Sequence, residues 1–466
     1  MGGLKDLYNK LCKTEWNATT TGILIGLFSI LIMAWWRPWG AVGAVRAWGD
    51  WILQLIGVYD SPESITKSIR YSTGSVIGIG FVGGAFLSAC LGGQFAFRFP
   101  PIREWVKGLI AGILMGIGAT FAGGCNVGGM YNALGNLSAH GFAMWLGLIF
   151  GVVLGLWLLY KEMEHITWGS GGAKTIDIPA PVQLVIGVVT IAAFIWAAYS
   201  YAGYDGDEGT NYIKSLPGIL LIAVALGYTM QRGRWCMVQG FREPHMTGNA
   251  TMAKSVALSI VIVAIGAAVL KYGVPVRSEG NAVLGTMNYV RGTFGLGGVF
   301  GGFLFGLGAM LAGGCGTGTL WRVGEGQIKL WLVMIVFGLS VSLCSTWANN
   351  KEYVITGSDL QNLDASALVV PAIIGKVLID DEYVSFGSAD PKERVEELKA
   401  MFQEAQDEEY EVVIKGREAY GFFGKYVYMP DKVGYGGALA IIFFAMGAWY
   451  AIVSWNEDSN KLLLPM

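Results

Sequence analysis

The sequence predicts an all-α polytopic membrane protein. It has about 9–10 transmembrane helices, arranged as two inverted repeats with re-entrant or broken helices, and a small α+β extramembrane insert. Three observations carry this reading. Hydrophobic residues make up 53% of the 466 and charged residues only 14%, against about a quarter charged in soluble domains. Several runs of 18 or more residues are almost free of charge, the length a bilayer core demands. The chain also matches itself when slid by about 190 residues.

The apolar runs place spans at 21–38, 73–97, 106–124, 141–160, 182–203, 215–235, 252–272, 292–314, 329–347 and 434–455. The stretch 41–58 carries Arg46 and Asp50 and reads as interfacial or re-entrant. The first 20 residues are mixed and amphipathic. No small-residue cleavage site follows the first apolar run, so no cleavable signal peptide is expected. A net charge of −2 gives no support to a nucleic-acid partner. Arg37, Arg46, Lys67 and Arg70 fall in one loop and Arg98, Arg103 and Lys107 in the next, so loop charge does not orient the chain.

Segment 350–432 is long and charged and interrupts the membrane region. EYVSF (382–386) and EYEVVIKG (409–416) read as strands. Asp390, Pro391 and Glu393 form a helix start. Val395, Leu398, Met401 and Phe402 then share one helical face. From 380 to 411 there are twelve acids against three bases, which marks the insert as acidic. The expected organisation is an amphipathic N-terminus (1–20), a first membrane repeat (21–203), a second (204–349), the insert (350–432), and a last helix with its tail (433–466).

The repeat is explicit. GLIAGILMGIGATFAGGC (108–125) aligns with GVFGGFLFGLGAMLAGGC (298–315), with ten of eighteen positions identical, and the match continues at Gly128 and Gly318. Upstream, 22–40 resembles 218–236, pairing Trp39 with Trp235 and Gly40 with Cys236. Five spans separate equivalent points, and an odd number means the second half enters from the opposite side. Such repeats place binding sites at their interface.

Gly108, Gly112 and Gly116, like Gly298, Gly302 and Gly306, recur every fourth residue and so permit close helix packing. The GGC segments ask for more than packing. Gly123–Gly124–Cys125 and Gly313–Gly314–Cys315 end an apolar helix, and glycine permits unusual backbone there. A half-helix beginning just after each cysteine would aim free N–H groups at the thiol, an arrangement suited to a small anion. Asn126, Tyr131 and Asn132 follow the first break; Thr317, Thr319 and Arg322 follow the second. Arg232 and Arg234 precede Cys236 and are candidates for the same path, with interfacial snorkelling as the alternative. A polarizable thiol suits a sulfur-bearing ligand. Cys12, Cys90 and Cys344 read as small apolar residues. His140 and His245, in loops beside the motifs, read as structural more readily than as titrating groups. No CxxC pair, metal-ligand spacing or cofactor motif is present, so neither a metal nor a cofactor is expected.

Three stretches, GGCNVGGMYNALGNLSAHG (123–141), QRGRWCMVQGFREPHMTGNATMAK (231–254) and LAGGCGTGTLWRVGEGQIKLW (311–331), resemble the YeeE/YedE family of sulfur-transport membrane proteins, the longer YedE type above all. The resemblance runs over about 20–350 in spacing and order. It implies a multi-pass protein of the plasma (inner) membrane, in contact with membrane lipid, that is a transporter and not an enzyme. It also implies that thiosulfate passes along a central path of thiols, here Cys236, Cys125 and Cys315, with Gly40 where a symmetric fourth cysteine would stand. YedE-type members are associated with selenium metabolism, and family members with small cytosolic sulfur-carrier proteins. The acidic insert is a departure from the family pattern. Two other functions fit the same residues. One is a membrane thiol oxidoreductase or sulfurtransferase using Cys125 and Cys315. The other is a membrane anchor subunit of a sulfur- or selenium-processing complex.

Overall fold

The computed structural model describes residues 2–60, 68–166, 169, 171–206, 210–277, 292–349 and 427–458, with short pieces at 352–355, 377–379, 382–383, 396–401, 403–404, 412–415 and 424. Helix α1 (Gly2–Tyr8) leads through a π turn to α2 (Ala18–Trp35), which Asn17 caps by accepting from the Thr19 N–H at 2.8 Å. After α3 (Ala41–Leu55) and α4 (Thr73–Leu91) comes strand β1 (Ala96–Phe99). Helix α5 (Ile102–Phe121) breaks at Gly123–Cys125. The chain resumes as a π turn (Asn126–Tyr131) and α6 (Asn132–Gly135), then turns into α7 (His140–His165).

Strand β2 (Lys174–Asp177) and α8 (Ala180–Ala202) precede α9 (Thr210–Arg232), α10 (Met237–Met246) and α11 (Thr251–Arg277). Helix α12 (Leu296–Ala312) breaks as α5 does and continues as α13 (Gly316–Gly324) and α14 (Ile328–Asn349). The C-terminal helix is Met429–Asp458. Among the described residues ten helical segments are long and apolar enough to cross a membrane, one for each expected span. Helix α3 is not one of them.

Cross-chain contacts define two faces. On the first, Tyr8 donates to Leu91 O at 2.7 Å, Ser255 donates to Ala18 O at 2.5 Å, and β1 pairs antiparallel with β2. On the second, Trp35 donates to Ser215 O at 2.9 Å, the Thr73 N–H donates to Tyr212 at 2.8 Å, and Tyr59 bonds Thr346 at 3.0 Å. The chain leaves and re-enters this second face around the insert. It follows that α2 and α9 run in opposite directions, as do α5 and α12, and α7 and α14.

Packing follows the same pairing. Helix α5 lies along α14 while α12 lies along α7, and α4 lies on α9 while α2 lies on α11. The glycine stripes explain the closeness. Gly112 abuts Val336 and Phe337, and Gly116 abuts Ser340 and Val341, all on α14. Gly302 meets Met144 and Gly306 meets Leu148, both on α7. Where α5 crosses α12, Gly118 faces Gly301 and Gly308 faces Ala111. Backbones this close gain dispersion contact that lipid tails do not replace. Helix α8 turns Val185, Val188, Trp196 and Tyr199 outward, as a lipid-facing helix does.

The insert's described strands are β3 (Glu352–Ile355), β4 (Val377–Ile379), β5 (Glu382–Tyr383) and β6 (Val412–Lys415), in one antiparallel sheet of order β3-β6-β4-β5. Strands β5 and β6 are the two expected from the sequence; β3 and β4 are additional. A helical stretch at 396–401 buries Leu398. The expected helix start at Asp390–Pro391 lies outside the described residues.

Candidate functional site

A helix stops at each GGC because its glycine takes a left-handed conformation. Gly123 has φ 74° and Gly313 has φ 81°, the backbone that closes a helix C-terminus at little cost only to glycine. One or two residues later the chain is extended again, and a cysteine stands at the N-cap of the next piece. Cys125 caps the π turn and Cys315 caps α13. The other two inward breaks end the same way, with Gly40 as N-cap of α3 and Cys236 as N-cap of α10. Four short helical segments therefore begin at the protein centre, three of them at a thiol.

The thiols are buried, with Cys125 0%, Cys236 2% and Cys315 0% exposed, so the centre is closed at this point. The sulfurs of Cys236 and Cys315 are 3.5 Å apart. Cys315 Sγ also lies 3.4 Å from Thr317 Oγ1 and accepts from the Gly318 N–H at 3.3 Å. Backbone N–H groups of Val127 and Gly128, and of Ala41 and Val42, are directed at Cys125. Two helix N-termini thus converge on one sulfur. Between the thiols run Gly316 and Gly318. A Cβ on Gly316 would sit 3.2 Å from the Cys125 sulfur, and one on Gly318 would sit 2.9 Å from that of Cys236 and 3.3 Å from that of Cys315. Bare backbone is what lets three sulfurs gather around one helical turn.

Asn126 is wholly buried, and among the described residues neither end of its amide has a partner; the same holds for the Thr319 hydroxyl. Leaving such groups unpaired costs about 1–3 kcal/mol each. A polar guest at the centre would recover that cost.

The walls are held by matched tryptophans. Asn132 Nδ2 donates to Trp39 O at 2.5 Å, and Trp321 Nε1 donates to Trp235 O at 3.2 Å. Trp39 Nε1 reaches Ser29 at 2.8 Å and Trp235 Nε1 reaches Ser255 at 2.9 Å. These bonds fix the loops Trp36–Gly40 and Gly233–Cys236 in their inward course.

The three candidate arginines do not gather around the thiols as one group. Arg232 is buried and donates to Ser88 O at 2.9 Å, Ser88 Oγ at 3.2 Å, Gln94 Oε1 at 3.2 Å and Gln231 Oε1 at 3.1 Å, which ties α9 to the end of α4. Arg234 is half-exposed and pairs with Glu15 at 3.5 Å and Glu325 at 3.4 Å. Arg322 lies over the Trp321 ring at 4.7 Å, donates to Gly313 O and lines Gly314, so it caps the break in α12. Of the three, Arg322 is the one built into the wall of the break.

Sequence reasoning missed Glu325 and Lys271. Glu325 is 1% exposed and caps the end of α13, with Gln231 donating to it at 3.1 Å. Its signal was an acid enclosed by Gly324 and Gly326 between two apolar helices; intramembrane ionisable groups are functional candidates by default. Among the described residues no cluster of His, Cys, Asp or Glu could hold a metal. Cys90 packs with Ala89 and Phe95, as a small apolar residue does.

A family model described as "Sulphur transport" matches residues 4–158 and 232–378. The chain is 28% identical over 343 residues to the probable transporter YedE of Salmonella typhimurium, covering 70% of this chain and 80% of that protein. It is 37% identical over 119 residues to the thiosulfate transporter TsuA of Escherichia coli, covering 25% of this chain and 31% of that one. To the thiosulfate transporter TsuA of Spirochaeta thermophila it is 31% identical over 121 residues, with 26% and 33% covered.

Proposed function

The chain belongs to the sulphur-transport family, and from that premise we propose that it carries thiosulfate across the inner membrane past Cys236, Cys315 and Cys125. The observation that carries this reading is the convergence of four N-caps, three of them thiols, at a buried centre. Helix N-termini favour negative charge, and polarizable thiols suit the terminal sulfur of thiosulfate. Asn126, Thr317, Thr319 and the backbone of Gly123, Gly124, Gly313 and Gly314 supply the polar remainder, with Arg322 as the nearby cation.

The anion sheds water at one face, meets the N–H groups and S–H donors in turn, and leaves at the other. No covalent bond forms. Each station holds weakly enough to release to the next. The closed packing at the thiols means that passage needs a small separation of the short helices. The opposed directions of α2 and α9, α5 and α12, and α7 and α14 support reading 21–203 and 204–349 as an inverted repeat around this site. The acidic insert, 350–432, is the proposed docking surface for a cytosolic sulfur-carrier protein.

The test is uptake of radiolabelled thiosulfate into proteoliposomes, wild type beside Cys315→Ala. Uptake by the wild type that falls to background in the mutant supports the thiol path. Equal uptake in both removes Cys315 from it.

A further inference from the structure

The thiol path leaves one buried charge unused. We propose that Lys271 forms an anion subsite at the insert-facing mouth, where it binds the oxygen end of the transported anion beneath Tyr428. The inference rests on the transport reading and adds to it a second station of different chemistry.

Lys271 lies near the end of α11, inside a membrane-spanning helix, and is 4% exposed. A lysine there is costly and is kept only facing a partner or a pathway. Its ammonium has three donors. One reaches Asn136 O at 3.1 Å, and the Tyr428 ring lies 5.0 Å from the nitrogen. Among the described residues no carboxylate pairs with it.

The opposite mouth shows what a neutralised version looks like. Asn136 is the C-cap of α6 and Glu325 the C-cap of α13. Each carbonyl accepts from a cation, Lys271 in the first case and Arg98 in the second, at 3.3 Å. At the second mouth the Glu325 carboxylate adds charge of the opposite sign, paired with Arg234 at 3.4 Å and with Arg98 at 4.0 Å. At the first mouth the cap is an asparagine, and among the described residues no acid stands against the lysine.

Position completes the argument. Cys125 and Asn136 cap the two ends of one re-entrant segment, eleven positions apart, or about 16 Å at helical rise. An anion leaving Cys125 toward the insert face therefore meets Lys271 next. The mouth is closed by residues 427–429, which lead into the C-terminal helix. The Ala139 N–H donates to Val427 O, and the Met429 N–H to Leu137 O, both at 3.1 Å. That clamp holds Tyr428, 7% exposed, over the lysine. A hard ammonium at the mouth and soft thiols inside divide the recognition of an anion that has oxygen atoms at one end and sulfur at the other.

Two measurements test this together. In proteoliposomes, Lys271→Met raises the KM for thiosulfate about tenfold or more, the worth of one charged hydrogen bond, and Lys271→Arg restores it to within about threefold. In the solubilised wild type, thiosulfate slows carbamoylation of Lys271 by cyanate relative to the surface residue Lys5, read by mass spectrometry. An unchanged KM in Lys271→Met, or modification of Lys271 indifferent to thiosulfate, overturns the subsite even where uptake is normal. Protection without uptake supports the subsite and rejects transport. The protection arm does not require that the methionine variant fold.

Discussion

The sulfurs of Cys236 and Cys315 touch at 3.5 Å, each at the N-cap of a short helix, while Cys125 lies beyond Gly316. Cys236, and not Cys125, is therefore the thiol poised to pair with Cys315. Mild oxidation with diamide is expected to join 236 to 315, to stop uptake, and to be reversed by dithiothreitol. Peptide mapping of the oxidised protein checks it; a bridge between 125 and 315 is the contrary result.

The proposed transport role of Cys315 is separable from its capping role. Its sulfur accepts from the Gly318 N–H at 3.3 Å, the work of an N-cap. Serine caps at least as well, and alanine loses about 1 kcal/mol. Cys315→Ser should match the wild type in Tm and Cys315→Ala fall slightly below it, with both losing thiosulfate uptake. Uptake retained in the serine variant would assign the cap, and not the sulfur, to transport.

Asn126 separates stability from function in the opposite sense. Neither end of its buried amide is paired among the described residues. Replacement by leucine of similar volume removes that unpaired cost, so stability should hold or rise by about 1 kcal/mol. Uptake should fall about tenfold. Thermal unfolding beside proteoliposome uptake measures both.

Arg232 should behave as a structural residue. Arg232→Ala removes four hydrogen bonds and leaves Ser88 O with the Gly92 N–H and Gln94 Oε1 with Gln231 Nε2, which costs about 2–3 kcal/mol. The expected outcome is a lower Tm and poor recovery from detergent, with an unchanged KM in whatever protein folds. A raised KM at normal Tm would return Arg232 to the path.

At Gly118, a Cβ would lie 2.6 Å from Gly301 O on α12. Gly118→Val should destabilise by about 1–3 kcal/mol through overpacking. The C-terminal pair Gly436 and Gly447 have open space around them, and alanine there should cost under 0.5 kcal/mol or about that. Unfolding curves of the three variants order them.

Much of this was written in the sequence. Hydrophobic run length gave the ten spans, and the repeated AGGC gave both helix breaks, because a left-handed glycine and an N-cap are local demands that the chain states locally. What could not be read was which side chains meet. Arg232, Arg234 and Arg322 look alike in sequence, yet one bolts α4 to α9, one pairs with Glu15 and Glu325, and one caps Gly313. Lys271 and Tyr428 are far apart in the chain and meet through the backbone bonds that hold 427–429 against 137–139. Strands β3 and β4 gain their order from pairing with β6, a partner distant in sequence.

Gly40 stands where its counterpart in the other half is Cys236, and a Cβ there would meet nothing nearer than Gly128 Cα at 4.0 Å. The vacancy is therefore not forced by space. On the proposed path, a ladder with two adjacent rungs on one side of the midpoint and one on the other would release its passenger at unequal rates to the two faces. Half-saturation should then differ between inward and outward flux. The gradient at which net flow ceases stays the same, because a fixed set of passive rungs can bias kinetics but cannot do work.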